Sequence, residues 1–534
     1  MKESTQLFKG LLISAFMLAG MAVNPAMAQD KARGAEQVGK VTFPTSCDPK
    51  VQAQFERGVA MLHSYWFAEG RKVFEAVLQQ DPNCAMAYWG LAVNLLGNTL
   101  GGSPPAKDLQ AGAATIEKAR AMGAKTQRER DWIDGLHTYY RDYDKVSVDV
   151  RLLAYTKAME QLAQRYPNDF EAQVFYALTL QASAPTTDVT YANQLKSAGI
   201  LEKLYQKDPQ HPGVSHFLIH AYDYAPLAAK GIAAAKRYAG LAPAAPHAQH
   251  MPSHIFTVVG LWEESIKSNE AALALQSDQL HYIDFIVYAH LQLGQDAKAK
   301  ALVDAASRSR REKLPSLGAY TGLAAIPARY ALDRGDWKGA AALETISTDR
   351  PQLDFITHAH TRFARGLGMA RSGDAAGAKL EIEGIKVLRA ALQKSDQSYW
   401  ADRAEEQMLA ISAWAALAEG NKEQAEKFMR AAADREDGSV KQVLMENRLC
   451  PMRELYAELL LEIGQGVSAL REFETSLKNN PNRYRSIYGV ARAAEAVGDQ
   501  RKAAEHYNKL MELAKNADST RPELTRAKAY LAQR

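Results

Sequence analysis

Two stretches near the C-terminus of this chain carry one pattern, displaced by 34 residues. In CPMRELYAELLLEIGQGVSALREFETSLKNNP the landmarks are Ala457, Gly464, Ala469 and Phe473; in RYRSIYGVARAAEAVGDQRKAAEHYNKLMEL they are Ala491, Gly498, Ala503 and Tyr507. A period of this length is that of a helix hairpin stacked on the next hairpin. A small residue in mid-helix lets two axes approach, a glycine turns the chain, a second small residue packs at the crossing, and an aromatic ring fills the gap. Pro481 ends the second helix of its unit. Helix-type patterning with Gly or Asp-Pro punctuation continues over nearly everything after residue 50, with few stretches of β-branched alternation. The chain is therefore expected to be all-α.

These landmarks resemble the tetratricopeptide repeat (TPR) family. A third match runs through FERGVAMLHSYWFAEGRKVFEAVLQQDPNCAMAYWGLAV, with Gly58, Phe74, Pro82 and Tyr88. Weaker helix pairs fill 127–180, 316–347, 352–396 and 398–435. The resemblance implies a right-handed superhelical solenoid of antiparallel helix hairpins. Its expected divisions are an N-terminal segment at 29–50, a helical solenoid over 51–440, two clear repeats at 450–517 and a capping helix at 518–534. GNTLGGSPPAKDLQAG and GSVKQVLMENRLCP read as the main interruptions, with a bend expected near residue 440.

The histidines obey the same period. Eight of the thirteen fall between His211 and His290, so the segment 211–290 has to be explained. His216 and His250, His220 and His254, and His247 and His281 are each 34 apart, as are the turn glycines Gly260 and Gly294. Spacings of three and four put side chains on one helix face. The stripes are His216, His220 and Asp223; His247, His250 and His254; and His281, Asp284 and Tyr288. The TPR resemblance implies that first helices line a concave groove whose stripes contact ligands, Tyr288 among them.

Neutral imidazole is the commonest protein ligand for transition metals. Four histidines on two helices suffice for one closed site, with zinc or copper the expected ion. Pro252 predicts a helix start near Gln249, which leaves His247 in a loop. The core of the expected site is thus His216, His220, His250 and His254, supported by His247, His281, Asp223 and Asp284. Two other readings of the histidines stand beside this one: a groove for an organic or peptide ligand, and structural packing. His63 and His137 read as packing residues, and His358 and His360 face different sides of their helix.

Glycine-rich phosphate loops, CxxC, GxSxG and HExxH are all absent from the sequence. No catalytic acid or base stands out, although a histidine-ligated metalloenzyme stays open beside a metal-binding solenoid and a plain TPR adaptor. The formal charge of +4 on 534 residues argues against nucleic acid or an anionic membrane as the main partner and leaves a protein or peptide. Residues 1–28 have the order of a signal peptide: Lys2 and Lys9, an apolar run too short to span a bilayer, then small residues at Ala26 and Ala28. Export to a periplasm is the expectation. In that compartment Cys47 and Cys84 form the natural disulfide, with Cys450 the odd thiol; the alternative is unpaired cysteines packed as small apolar residues.

Overall fold

The computed structural model describes residues 37–533 apart from 102, 278, 309–313, 315, 351–352, 395–396 and 441–447. The signal-peptide expectation and most of the expected bend near residue 440 lie outside the described residues. Helices follow one another along the chain, with no strand among the described residues, and successive helices pack as neighbours. The protein is an all-α helical-repeat solenoid of TPR-like hairpins. Its helices include, in chain order, α1 (Gln52–His63), α2 (Phe170–Ala182), α3 (Pro212–Tyr222), α4 (Pro246–His250), α5 (Pro252–Val258), α6 (Trp262–Leu275), α7 (Leu280–Gln292), α8 (Leu317–Asp333), α9 (Met452–Glu462), α10 (Tyr484–Ala496) and α11 (Pro522–Ala532).

The repeat landmarks do the packing that their spacing predicts. A Cβ on Gly58 or Gly90 would meet the Phe74 ring at 2.7 and 2.5 Å, so both glycines exist to admit that ring. Gly489 admits Phe473 in the same way, with a would-be contact of 2.2 Å. The turn glycines Gly260, Gly294, Gly464 and Gly498 all have positive φ, between 68° and 87°. Each is followed by a residue whose N–H reaches back to close the helix, as in Gln295 N–H to His290 O at 2.9 Å and Gln465 N–H to Leu460 O at 2.8 Å. That is the six-residue Schellman closure, repeated at the period of the sequence.

The chain does more than stack. Its last repeats fold back onto the middle ones: Trp262 Nε1 donates to Asn482 O at 2.9 Å, Tyr484 N donates to Gln292 Oε1 at 2.9 Å, and Arg521 grips Asp296. Arg483 is wholly buried among Asp333, Glu454 and the Tyr288 hydroxyl, at 2.6, 2.9 and 2.9 Å. A cavity of about 360 Å³ lies in this seam, lined in part by Tyr224, Thr257, Trp262, Tyr288 and Arg448, and none of the clustered histidines reaches its wall.

At the other end the N-terminal segment crosses to the same middle repeats. Gln37 O accepts from Ala244 N at 3.2 Å, and Phe43 enters a core with Phe55, Trp89 and Trp132. Cys47 and Cys84 are joined by a disulfide with an S–S distance of 2.08 Å, which ties this segment to the first hairpin. Cys450 is free and buried.

Candidate metal centre

The histidines recur at matching places in successive first helices, 34 residues apart. Pro212 and Pro246, again 34 apart, both occupy the first turn of their helices, where the missing N–H costs nothing. The helix carrying His247 therefore begins at Pro246 and not near Gln249. Pro252 falls inside the stripe instead, and the chain stays helical through Met251 (φ −53°, ψ −36°) before α5 resumes. Placing His247 in a loop was thus an error with a physical cause: two prolines compete for the helix start, and the earlier one takes it.

The six histidines gather into two sets of three. His216, His220 and His247 form one triad, and His250, His254 and His281 form the other; within each, the candidate ligand atoms lie within 4.8 Å of one another. Each triad takes an i, i+4 pair from one helix and a single histidine from the start of the next first helix. The second is the first displaced by 34. The single four-histidine site of the sequence reading is not the arrangement found, because a helix of one repeat points its early histidine at the preceding repeat and its later pair at the following one.

The hydrogen bonds at Nδ1 settle the tautomers. His216 Nδ1 lies 2.6 Å from the carbonyl of His63, which can only accept. Asn269 donates through Nδ2 to Ser265 O, so its Oδ1 faces His250 Nδ1 at 2.6 Å and accepts. His254 Nδ1 donates to the Asp223 carboxylate at 2.9 Å. In all three rings the proton is on Nδ1 and Nε2 carries a lone pair. Yet His250 Nε2 and His254 Nε2 stand 3.0 Å apart, and His216 Nε2 has His220 Nε2 at 3.0 Å and His247 Nε2 at 3.2 Å. With metal–nitrogen bonds of about 2.0–2.1 Å, such separations subtend roughly 90–105° at an ion.

Burial disfavours the charged form of four of these rings. It holds His216, His247 and His250 well below the usual imidazole value, and drives His281 down to about 3. His216, His220, His250 and His254 are at most 3% exposed, whereas His247 and His281 are half-buried. The stripes therefore do not line an open groove, as the sequence suggested. Tyr65 packs over the first triad and Phe285 over the second, and each triad is partly exposed only at its third histidine.

The remaining expected site residues divide. Asp223 orients His254 as anticipated for an outer partner. Asp284 is held by the Arg329 guanidinium through two bonds of 2.9 and 3.1 Å, both groups fully buried, and takes no place in either triad. The Tyr288 hydroxyl accepts from Arg483 in the seam with the C-terminal repeats, where the ring lines the seam cavity and not the histidine triads.

Sequence reasoning missed several neighbours. Tyr65, with a left-handed φ of 51°, stacks on His247 at 5.1 Å and meets His216 edge-on at 4.6 Å. Phe285 packs against His250, His254 and His281 at 5.1–5.3 Å between ring centres. His63, read as mere packing, shares the Glu171 carboxylate with His211, each Nε2 at 2.7 Å. This third cluster differs in kind from the two triads. His211 Nδ1 accepts from Val214 N at 3.3 Å, so its Nε2 carries the proton and donates to Glu171. Burial by itself would raise the Glu171 carboxyl, but the two imidazoles outweigh it and hold it near about 2. The cluster is a hydrogen-bonded buttress that fixes His63, whose carbonyl fixes His216. In the chain, His63 is the last residue of α1 and His211 caps the start of α3, and neither position marks them as partners.

Fold and site together define a TPR-like helical solenoid with two equivalent, buried histidine triads. No family model matches the chain, and no curated protein matches it in sequence. Among solved structures, it is similar to the human IFIT1 dimer with PPP-AAAA (12% identity, TM-score 0.40, covering 80% of this chain and 90% of that one). It is also similar to the human IFIT1 dimer with m7Gppp-AAAA (12% identity, TM-score 0.39, 80% and 90% covered) and to a monomeric IFIT1 mutant with Gppp-AAAA (12% identity, TM-score 0.39, 91% and 100% covered).

Proposed function

We propose that this protein binds transition-metal ions, zinc or copper, one in each histidine triad. The observation that carries the reading is the facing of Nε2 lone pairs at 3.0 Å between His250 and His254, whose Nδ1 protons are already committed. Two lone pairs at that distance repel unless a cation lies between them, and a buried cation with several nitrogen ligands is a metal ion. Three ligands per ion leave a coordination position open, as in catalytic sites and unlike closed structural ones. That favours a metalloenzyme or a metal carrier as the second reading, over the adaptor that holds a peptide on the histidine stripes. A protein partner would dock elsewhere on the solenoid, and the small net charge supports a partner other than nucleic acid. The signal-like residues 1–28 support export to a periplasm, which N-terminal sequencing of the mature protein tests.

Elemental analysis of protein purified without an affinity tag is the direct test of the site. Two equivalents of zinc or copper per chain are expected. Changing His220 and His254 together to Ala removes one ligand from each triad and should abolish tight binding while the helical circular dichroism persists. Retained binding in that double variant, with helices intact, would overturn the reading.

A further inference from the structure

We propose that the two triads hold copper as a pair and that the reduced pair takes up dioxygen between them; this rests on the metal-binding reading above. Three features of the site point there. The first is proximity. The rings of His220 and His254 lie 6.0 Å apart, and those of His247 and His250 5.9 Å apart, so the two triads adjoin.

The second is charge. All six candidate ligands are imidazoles, and no carboxylate belongs to either triad. Of the nearest acidic groups, Asp223 bonds the outer nitrogen of one ligand, His254, and Asp284 is held by Arg329. Two divalent ions in this buried shell, which supplies no anionic ligand, would repel about four times as strongly as two monovalent ones. The donor set therefore selects a metal with a stable monovalent state and an affinity for imidazole, and copper is the common ion that has both.

The third feature is the open position on each ion, reached past the half-buried His247 and His281. When each Cu(I) gives up one electron, two Cu(II) ions stand in a site with no anionic ligand of its own. Dioxygen that accepts those two electrons becomes a dianion with its O–O bond intact, and bridging the two ions offsets the added charge. No proton enters or leaves in that step. A lone triad has neither the second electron nor the second cation.

The experiment is to load the metal-free protein with Cu(I) under argon, then admit air-saturated buffer. Copper content, oxygen consumption and electron paramagnetic resonance are read on the same sample. The expected result is two copper ions per chain, one dioxygen consumed per two copper, and a Cu(II) resonance far below the copper content because the paired spins couple. His281→Ala and His247→Ala, each made separately, should retain one tight copper that gives a full resonance signal and should lose the oxygen stoichiometry. Failure to bind copper at all counts against metal binding itself. Two bound copper ions that oxidise to a full, uncoupled signal would leave metal binding standing and overturn the paired centre. So would one-to-two oxygen uptake surviving in either single-triad variant.

Discussion

A buried imidazole can present a lone pair only if its other nitrogen is held by an acceptor, and here the acceptors are known. Asn269 is the acceptor for His250, and its own orientation depends on the Ser265 carbonyl. Asn269→Ala should weaken metal binding by about 10–100-fold with little change in helix content, and Asn269→Asp should recover most of that loss because a carboxylate still accepts. Equal binding by the alanine variant, measured by competition with a chromogenic chelator, would deny Asn269 any part in the site. The cysteines offer a second check at this scale. Burial pushes the Cys450 thiol up to about 12, so at pH 8 almost none of it is thiolate, the reactive form. Native protein should resist iodoacetamide at that pH. After denaturation without reductant one thiol should react, and three after reduction; three before reduction would exclude the Cys47–Cys84 bond.

Helix turns set how the repeats meet, and Gly260 serves two purposes at once. Its φ of +72° closes the helix ending α5, and a Cβ there would lie 2.2 Å from Pro481 O of the C-terminal repeats. Gly498 has the same left-handed φ with nothing within 4 Å of a Cβ. Gly498→Ala therefore pays only for backbone conformation, about 1–2 kcal/mol, whereas Gly260→Ala must also push the seam apart. Thermal melts of the two variants should rank Gly260→Ala clearly lower; equal losses would mean that the contact with Pro481 carries no weight. Pro252 belongs to the same scale. It removes one N–H from the histidine helix, but Met251 keeps right-handed helical angles, so the spacing of His247, His250 and His254 survives.

At the scale of the whole molecule, the back-folding of the last repeats distinguishes this chain from a simple open stack. Arg483 is its centre: fully buried, it neutralises Asp333 of α8 and Glu454 of α9 and reaches Tyr288 of α7. Burial alone would lower the guanidinium value, but the two carboxylates prevail and keep it charged. Arg483→Leu leaves two buried carboxylates without their cation and should cost about 3–5 kcal/mol. Hydrogen exchange should then speed up together in α7, α8 and the C-terminal helices α10 and α11. Acceleration confined to the C-terminal helices would show that the seam does not couple the two regions. Because none of the triad histidines lines this seam cavity, metal content should survive the substitution in whatever fraction remains folded.

The sequence by itself determined the elements, their pairing into hairpins and the equivalence of the histidine stripes, because all three are local or periodic properties. Helical spacing is written within a dozen residues, and a repeat of 34 is visible by comparing the chain with itself. The left-handed glycines and the aromatic-into-glycine packing follow from the same pattern. Only the tertiary structure decided how six histidines divide, which nitrogens carry protons, and which acids are engaged elsewhere. Those outcomes rest on contacts between residues far apart in the chain: His63 with His216, Asp284 with Arg329, Tyr288 with Arg483. A carboxylate one turn from a histidine looks like a ligand until a buried arginine from the next repeat claims it. Periodicity fixes which residues share a helix face, but the chemistry of a buried polar group is set by whichever partner folding brings within 3 Å of it.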